Sequence, residues 1–258
     1  MIDCHCHLEQ KEYDQNREQI IEQCEQKLRA LVTCCAHPRD LQLTLELVKK
    51  HPGFLFCAIG IHPTYIRESS EKEIGEALKE IEKHKQDIVA IGETGLDYYW
   101  VKEPEFREKQ KELFRKLIAI AKKLAKPLVV HSRDATEDTI SILEEEGMQH
   151  QKVLMHLFSD RKNLQKIIDN GWFISIGPGI RKSKDIRKIA RDMPLNKILL
   201  ETDSPWFAQK EQGQEYGVPL NVKIACEKIA EIKRVSIEEV EKQTDLNAIE
   251  FFNLKIKR

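Results

Sequence analysis

Eight short apolar runs, distributed along the whole chain, limit the possible folds more than any other feature of the sequence. Each run is rich in aliphatic or β-branched residues and ends at polar residues or glycine, as buried strands do. The runs cover residues 1–7, 30–35, 54–62, 88–93, 127–131, 152–156, 172–177 and 197–203. The segments between them have the periodicity of amphipathic helices, as in 106–124, where apolar side chains recur every three, four or seven residues.

Helix start signals support this alternation of strands and helices. Ser70 with Glu73, and Ser236 with Glu239, match the S-x-x-E capping box. An alternation repeated eight times within 258 residues predicts an α/β fold with a single (β/α)8 TIM-type barrel, and a doubly wound open sheet is the alternative. Because no linker rich in Pro, Gly or Ser divides the chain, we predict one domain over residues 1–258.

The charge balance restricts the ways in which this chain can bind its partners. The 42 Lys and Arg residues nearly cancel the 43 Asp and Glu residues, so the formal net charge is −1. No global positive field attracts nucleic acid or an anionic membrane, and phosphate binding must be local. Seven cysteines without a CxxC pair, in a chain with no apolar leader, predict a reducing, cytoplasmic setting and no membrane partner.

The segment from Asp3 to His7 carries the strongest chemical signal. Alternate side chains of a strand share one face, so His5 and His7 are expected to point the same way and reach one cation, although a chance histidine pair remains the alternative. The intervening Cys4 and Cys6 are then expected to face the helical layer as small apolar residues. The adjacent Cys34 and Cys35 lack the spacing of a zinc site and are expected to be packing residues.

Four further candidate ligands stand at the carboxyl ends of other predicted strands. They are Glu93, His131, His156 and Asp203. The carboxyl ends of barrel strands converge on one mouth, so five strands would deliver six ligands to one site. Taken singly, each has an ordinary alternative: a helix cap for the glutamate, satisfied core histidines, or a turn before Pro205 for the aspartate.

Four histidines and two carboxylates exceed what one tetrahedral catalytic ion uses, so we predict two divalent metal ions. Glu93 is the expected bridge between them, and Asp203 is expected to act also as general base on the attacking water. Glu201 is then either a hydrogen-bonding partner of a ligand or a structural residue. Imidazole with carboxylate permits Zn, Mn, Fe or Co, while Mg prefers more oxygen, and the sequence selects none of them. No Walker loop or complete GxGxxG supports a nucleotide cofactor.

Substrate contacts are expected from residues near the same strand ends. His62 ends the third predicted strand and is a candidate for donating to a substrate oxygen. Arg133 follows His131 by two residues and is a candidate for binding a phosphate or carboxylate of the substrate, with a salt bridge at the rim as the alternative. Tyr98, Phe158 and Trp206 are candidates for stacking on a base, with core packing as the alternative for each. The long irregular stretch 204–221 follows the last strand and is expected to lie over the mouth.

The motifs together resemble the TatD-like metal-dependent deoxyribonucleases, within the wider amidohydrolase-type barrel group. The resemblance spans nearly the whole chain and is carried by the segments 2–8, 60–63, 90–97, 131–135, 156–159 and 200–205. It implies that His5, His7, Glu93, His131, His156 and Asp203 bind the divalent metals. It also implies hydrolysis of nucleic-acid phosphodiester bonds, often from the 3′ end, and we expect the substrate to be DNA, as single strands or at 3′ ends.

We therefore predict a nuclease in which a metal-bound hydroxide at a binuclear site attacks phosphorus. The main alternative is a metal-dependent hydrolase of a small amide, cyclic amide or aminoacyl ester, because the same hydroxide serves carbonyl carbon. A barrel that binds without catalysis is a third possibility. The sequence leaves open DNA versus RNA, the direction of digestion and the oligomeric state.

Overall fold

Eight parallel strands lie side by side in the order in which they occur in the chain. The computed structural model describes residues 1–209 and 213–256. The strands are β1 Ile2–Cys6, β2 Ala30–Cys35, β3 Leu55–Ile59, β4 Ala90–Asp97, β5 Leu128–Arg133, β6 Val153–Met155, β7 Phe173–Ile176 and β8 Ile198–Leu200. Just beyond β8, the backbone N–H of Asp203 donates to the carbonyl of His5 at 2.9 Å, so the sheet is nearly closed. The predicted (β/α)8 barrel is confirmed.

Helices follow the strands around the outside of the barrel. They are α1 Arg17–Glu25, α2 Leu41–Lys50, α3 Glu71–Lys83, α4 Pro104–Leu124, α5 Thr136–Glu145, α6 Leu164–Asp169, α7 Lys184–Asp192, α8 Val222–Lys233 and α9 Ile237–Phe252. The predicted capping box of Ser70 and Glu73 is present with both of its hydrogen bonds. Ser236 likewise accepts from the backbone N–H of Glu239, at 3.1 Å. No helix among the described residues is both long and apolar enough to span a bilayer.

The apolar core has two layers, one on each side of the sheet. Alternate strand residues such as Val32, Val129 and Leu199 fill the barrel interior, and the other set packs against the helices. At the amino-terminal end of the barrel, Phe251 and Phe252 of α9 pack on the interior cluster. This end is therefore apolar, and the polar side chains gather at the opposite, carboxyl-terminal mouth.

An irregularity in β1 changes which side chains point inward. Pairing with β2 shifts register between Asp3 and Cys6, so β1 carries one extra residue there. Cys4 consequently lies in the barrel interior, and the prediction that it faces the helical layer is wrong. Cys6 does lie in the outer layer, where its thiol donates to the carbonyl of Val32. The extra residue keeps His5 pointing toward the mouth.

A second shift lies in β4, between Ile91 and Thr94, and it includes Glu93. Gly92 has φ of +143°, and a Cβ there would lie 2.5 Å from the carbonyl oxygen of Val129, so only glycine fits. Bulges next to active sites re-aim side chains. The strand then continues to Asp97, beyond the predicted end at residue 93.

Candidate metal centre

The structure brings all six predicted ligands together at the carboxyl-terminal mouth, where they form two groups. In the first group, the Nε2 atoms of His5 and His7 lie 3.1 Å apart. Asp203 Oδ1 lies 3.6 Å from the Nε2 atom of His5 and 3.3 Å from that of His7. Asp203 adopts φ of +53° just after β8, a conformation that aspartate tolerates better than most residues.

The second group contains the histidines of β5 and the segment after β6. Glu93 Oε1 lies 2.8 Å from both His131 Nδ1 and His156 Nε2, and these two nitrogens are 3.4 Å apart. The other oxygen of the same carboxylate, Oε2, lies 3.5 Å from His5 Nε2 and 3.7 Å from His7 Nε2. Glu93 therefore faces both groups, one oxygen toward each.

The donor atoms fit divalent metal ions in type and spacing. Imidazole nitrogen and carboxylate oxygen bind zinc at about 2.0–2.2 Å, so two donors of a tetrahedral site are roughly 3.4 Å apart. The contacts within the first group and from it to Glu93, from 3.1 to 3.7 Å, bracket this value. In the second group the two histidine nitrogens are 3.4 Å apart, while their contacts with Glu93 Oε1, at 2.8 Å, have the length of hydrogen bonds. The charge of a buried side chain must be compensated by a nearby group of opposite charge or by water. The side chains of this site are only 0–15% exposed, so water compensates little of their charge.

Each of the four histidines uses its second ring nitrogen to contact another side chain. The pairs are His5 Nδ1 with Cys34 Sγ at 3.2 Å, His7 Nδ1 with Glu9 Oε1 at 3.2 Å, His131 Nε2 with Asp97 Oδ2 at 2.9 Å, and His156 Nδ1 with Glu201 Oε2 at 3.1 Å. Carboxylates in this position fix the ring orientation and keep the proton on the nitrogen that faces away from the metal.

Two of these carboxylates are themselves held by backbone donors. Glu201 Oε1 accepts from the N–H of Leu157 at 2.6 Å, and Asp97 Oδ1 accepts from the N–H of Trp100 at 2.7 Å. Glu201 thus forms a hydrogen bond with a predicted ligand, as the first of its two predicted roles requires. Asp97 and Glu9 were not predicted. The only available signal for Asp97 was its place in the segment 90–97, which contributes to the family resemblance.

Cys34 and Glu9 make contacts between β2 and the segment that contains β1. Cys34 packs in the barrel interior as predicted for a small apolar residue, and its sulfur also contacts His5. Glu9 is buried, and its Oε2 accepts from the hydroxyl of Thr33 at 3.1 Å. Neither contact follows from the periodicity of a single strand, because each joins different segments of the chain.

The carboxylates dominate the electrostatics of the site. Burial alone would raise the pKa of Glu93, but the charges and hydrogen bonds of His156, His62 and His131 hold it well below its ordinary value. Burial would lower the pKa of His156, yet Glu93 and Glu201 raise it well above the usual range. The pKa of His5, by contrast, is lowered, first by burial and then by His156. The site therefore attracts positive charge.

A third grouping of possible ligand atoms, from His62, Asp97 and His131, does not fit a cation. His62 Nδ1 accepts from the backbone N–H of Thr64 at 3.3 Å, so its proton sits on Nε2. Burial, aided by His131, lowers the pKa of His62 to about 3, which keeps the ring neutral. Both Asp97 oxygens already accept hydrogen bonds. His62 instead presents an N–H at the mouth, 3.6 Å from Glu93 Oε1.

Arg133 stands at the rim rather than among the ligands. It ends β5, is exposed, and holds its guanidinium 4.0 Å from the ring centroid of Tyr99. It also lines a cleft of about 590 Å³, together with Lys162 and the carboxylates of Asp134, Glu137, Asp138 and Asp160. Among the described residues, no carboxylate pairs with this guanidinium, so it is available to an anion.

Comparisons with known proteins identify the family of this chain. The family model described as TatD related DNase matches residues 2–253. The human protein named deoxyribonuclease TATDN3 is 34% identical, over 98% of this chain and 94% of its own. YabD of Bacillus subtilis, named an uncharacterized metal-dependent hydrolase, is 32% identical over 98% of this chain and 99% of its own. The crystal structure of YJJV, a TatD homologue from Escherichia coli, superposes with a TM-score of 0.87 at 25% identity and covers 98% of both chains. The chain belongs to the family of TatD-related DNases and is a metal-dependent hydrolase.

Proposed function

We propose that this protein hydrolyses phosphodiester bonds of DNA with two divalent metal ions and removes nucleotides from the 3′ end. The observation that carries the proposal is the pair of donor groups that share the Glu93 carboxylate. Family membership and the name of the human relative support DNA as the substrate.

The ligands divide between the ions according to the two groups. His5, His7 and Asp203 would hold one ion and His131 and His156 the other, and Glu93 lies between the two groups. Divalent ions bound there would lower the pKa of water and would neutralise charge that develops on the phosphate. Among Zn, Mn, Mg, Fe and Co, a site with four imidazoles favours the transition metals over Mg.

The remaining side chains handle the proton and the phosphate. Asp203 turns Oδ1 toward the two histidines, which leaves Oδ2 to take the proton of the attacking water. Water adds to phosphorus, the bond from phosphorus to the 3′ oxygen of the preceding nucleotide breaks, and that oxygen receives a proton. The products are a 5′-mononucleotide and a strand shortened by one residue. His62 donates its Nε2–H to a phosphate oxygen, and Arg133 pairs with a phosphate of the strand.

The direct test incubates the protein with single-stranded DNA labelled at its 5′ end, with and without added Mn²⁺. We expect a ladder of shortened, labelled products that chelation abolishes and that Asp203→Asn reduces at least a hundredfold. A strand labelled at its 3′ end should release labelled mononucleotide first. Intact DNA, together with release of acid or amine from a panel of amides and aminoacyl esters, would establish the alternative hydrolase instead.

We also propose a cytoplasmic location. All seven cysteines lie among the described residues and are free, buried thiols. Disulfides form in oxidising compartments, and a chain with seven unpaired thiols suits a reducing one. Fractionation of the native cells, followed by immunodetection, tests this location, and recovery in a secreted fraction would contradict it.

A further inference from the structure

The junction between β8 and β1 differs from the other junctions of the barrel. Parallel ladders join the consecutive strands from β1 to β8, but among the described residues none joins β8 to β1. Single hydrogen bonds connect these two edges instead. The N–H of Asp203 donates to the carbonyl of His5 at 2.9 Å, and the N–H of His7 donates to the carbonyl of Ser204 at 2.8 Å. The first ligand group, with two members on one side and one on the other, spans this junction.

The carboxylate of Asp3 also connects the two sides of the junction. Its Oδ1 accepts from the backbone N–H of His5 at 3.2 Å and from that of Thr202 at 3.1 Å. Its Oδ2 accepts from the Thr202 hydroxyl at 2.6 Å. We call this set of three hydrogen bonds the Asp3 clasp. His5 is a predicted ligand and Thr202 directly precedes another, Asp203, so the clasp holds the backbone at both.

The bulge in β1 explains why a side chain is needed here. Pairing with β2 shifts register between Asp3 and Cys6, and His5 lies within that interruption. A buried N–H without an acceptor is costly, and the N–H of His5 finds its acceptor in Asp3. Asp3 is fully buried, so water does not compete for its hydrogen bonds. Its carboxylate thus takes over the part that ladder bonds play elsewhere in the sheet.

The backbone conformation of Asp203 also depends on its neighbours. Asp203 has φ of +53°, in the left-handed region, where residues other than glycine are strained. Such a conformation persists only where the surrounding structure fixes it. On one side, Thr202 is held by Asp3. On the other side, the Ser204 hydroxyl lies 3.0 Å from that of Thr202. The clasp therefore helps to hold Asp203 Oδ1 at 3.6 Å from His5 Nε2.

We propose that Asp3 is a positioning residue for the metal-dependent reaction, which sets the distance between His5 and Asp203 by clasping the backbone beside both. The ligands of the second group, His131 and His156, belong to β5 and to the segment after β6, where the clasp does not reach. The inference rests on the proposed function in that the first group holds an ion of its own. Loss of the clasp should then weaken the binding of that ion and spare the other.

Two substitutions of Asp3 separate its hydrogen bonds from its charge. Asp3→Ala leaves two buried N–H groups without the carboxylate, and we expect it to lower the Zn²⁺ affinity of the first group about 10- to 100-fold. In Asp3→Asn, the amide oxygen can still accept from both N–H groups. The Thr202 hydroxyl can turn its proton toward Ser204 Oγ and accept from the amide NH₂. Asp3→Asn should therefore retain the affinity within about threefold.

The assay is competition for Zn²⁺ between each variant and a chromophoric chelator. His156→Ala removes a ligand of the second group and so identifies which of the two affinities belongs to that group. Asp3→Ala should lower the other one.

Asn247→Ala is the matched control for loss of a buried polar side chain. Asn247 Nδ2 donates to the carbonyls of Leu195 and Ile198 at 2.9 and 2.8 Å, so it ties α9 to the amino-terminal end of β8. This substitution should lower the stability in urea titration and change neither Zn²⁺ affinity.

Several outcomes would overturn the clasp. They are no loss of affinity in Asp3→Ala, equal loss of both affinities, no recovery in Asp3→Asn, and the same loss in Asn247→Ala. If circular dichroism shows that Asp3→Ala does not fold, Thr202→Val provides the test because it removes only the hydroxyl. It should lower the affinity of the first group about three- to tenfold, and an unchanged affinity would overturn the clasp. A wild type that binds a single Zn²⁺ would instead overturn the two-ion centre of the proposed function.

Discussion

The substitution Glu201→Gln tests how the centre holds its histidines. The carboxylate accepts two hydrogen bonds, from the Leu157 backbone N–H and from His156 Nδ1. The backbone donor cannot reverse, so the single carbonyl oxygen of glutamine must face Leu157. The amide NH₂ group then faces His156 Nδ1. Either two donors oppose each other in a buried site, or the imidazole proton moves to Nε2, the nitrogen that faces Glu93.

Both outcomes weaken metal binding at the second ligand group. Loss of a partner that orients a metal-binding histidine typically costs 10- to 100-fold in affinity, equivalent to roughly 1.4–2.7 kcal/mol. Glu9→Gln is the matched control because it removes the same charge beside His7. The other oxygen of Glu9 accepts from the hydroxyl of Thr33, which can rotate and accept from an amide instead. We therefore expect Glu9→Gln to lower affinity less than threefold.

The assay is competition for Zn²⁺ between each variant and a chromophoric chelator, with circular dichroism to verify folding. We expect two distinct macroscopic affinities for Zn²⁺. Glu201→Gln should lower one of them by at least tenfold, and Glu9→Gln should lower neither by more than threefold. Equal losses in the two variants would show that charge alone matters. No loss in Glu201→Gln would refute the argument from hydrogen-bond direction.

Three further predictions follow from individual side chains. His62→Ala should retain both metal ions by elemental analysis while kcat/KM on DNA falls about tenfold, and loss of an ion would make His62 a ligand. Gly92→Ala should lower the free energy of unfolding by at least about 2 kcal/mol. Gly75→Ala in α3, where a Cβ meets no atom within 4 Å, should instead raise it by about 0.5–1 kcal/mol. Urea titration of the metal-free protein measures both changes. In the metal-free protein, burial lowers the pKa of His7 and of His156, but nearby carboxylates raise it further, so that both pKa values lie above the ordinary one. A metal ion must therefore displace protons from these rings, and metal affinity should decrease as the pH falls through the range of the raised pKa values. Calorimetry in two buffers of different ionisation enthalpy measures the protons released, and identical heats would contradict the pKa assignment.

Local patterns predicted the strands well because each strand of a parallel barrel is buried on both faces and appears as a nearly continuous apolar run. The predicted 30–35 coincides with β2, and the predicted 152–156 exceeds β6 by one residue at each end. The predicted loop 204–221 contains residues 210–212, which lie outside the described residues. The extension of β4 to Asp97 was missed because the polar Glu93 and Thr94, followed by Gly95, end the apolar run. One domain over residues 1–258 stays a prediction.

The candidate ligands were predictable for a geometric reason. Strand ends of a parallel barrel converge, so polar residues at those ends meet even when they are far apart in the chain. The contacts that orient them were harder to predict. Asp97 and Cys34 reach the histidines from neighbouring strands, Glu9 contacts His7 from just beyond the end of β1, and the inward position of Cys4 depends on a one-residue bulge. Periodicity within a single strand contains no information about either.

The most direct test of the central claim is electron paramagnetic resonance of the protein titrated with Mn²⁺. Ions that share a bridging carboxylate lie about 3.5–4 Å apart, close enough for exchange coupling. We predict that the protein binds two Mn²⁺ per chain with the spectrum of a coupled pair, and that Glu93→Ala abolishes the coupling. A single bound ion, or two ions with uncoupled spectra in the wild type, would contradict a centre built around Glu93.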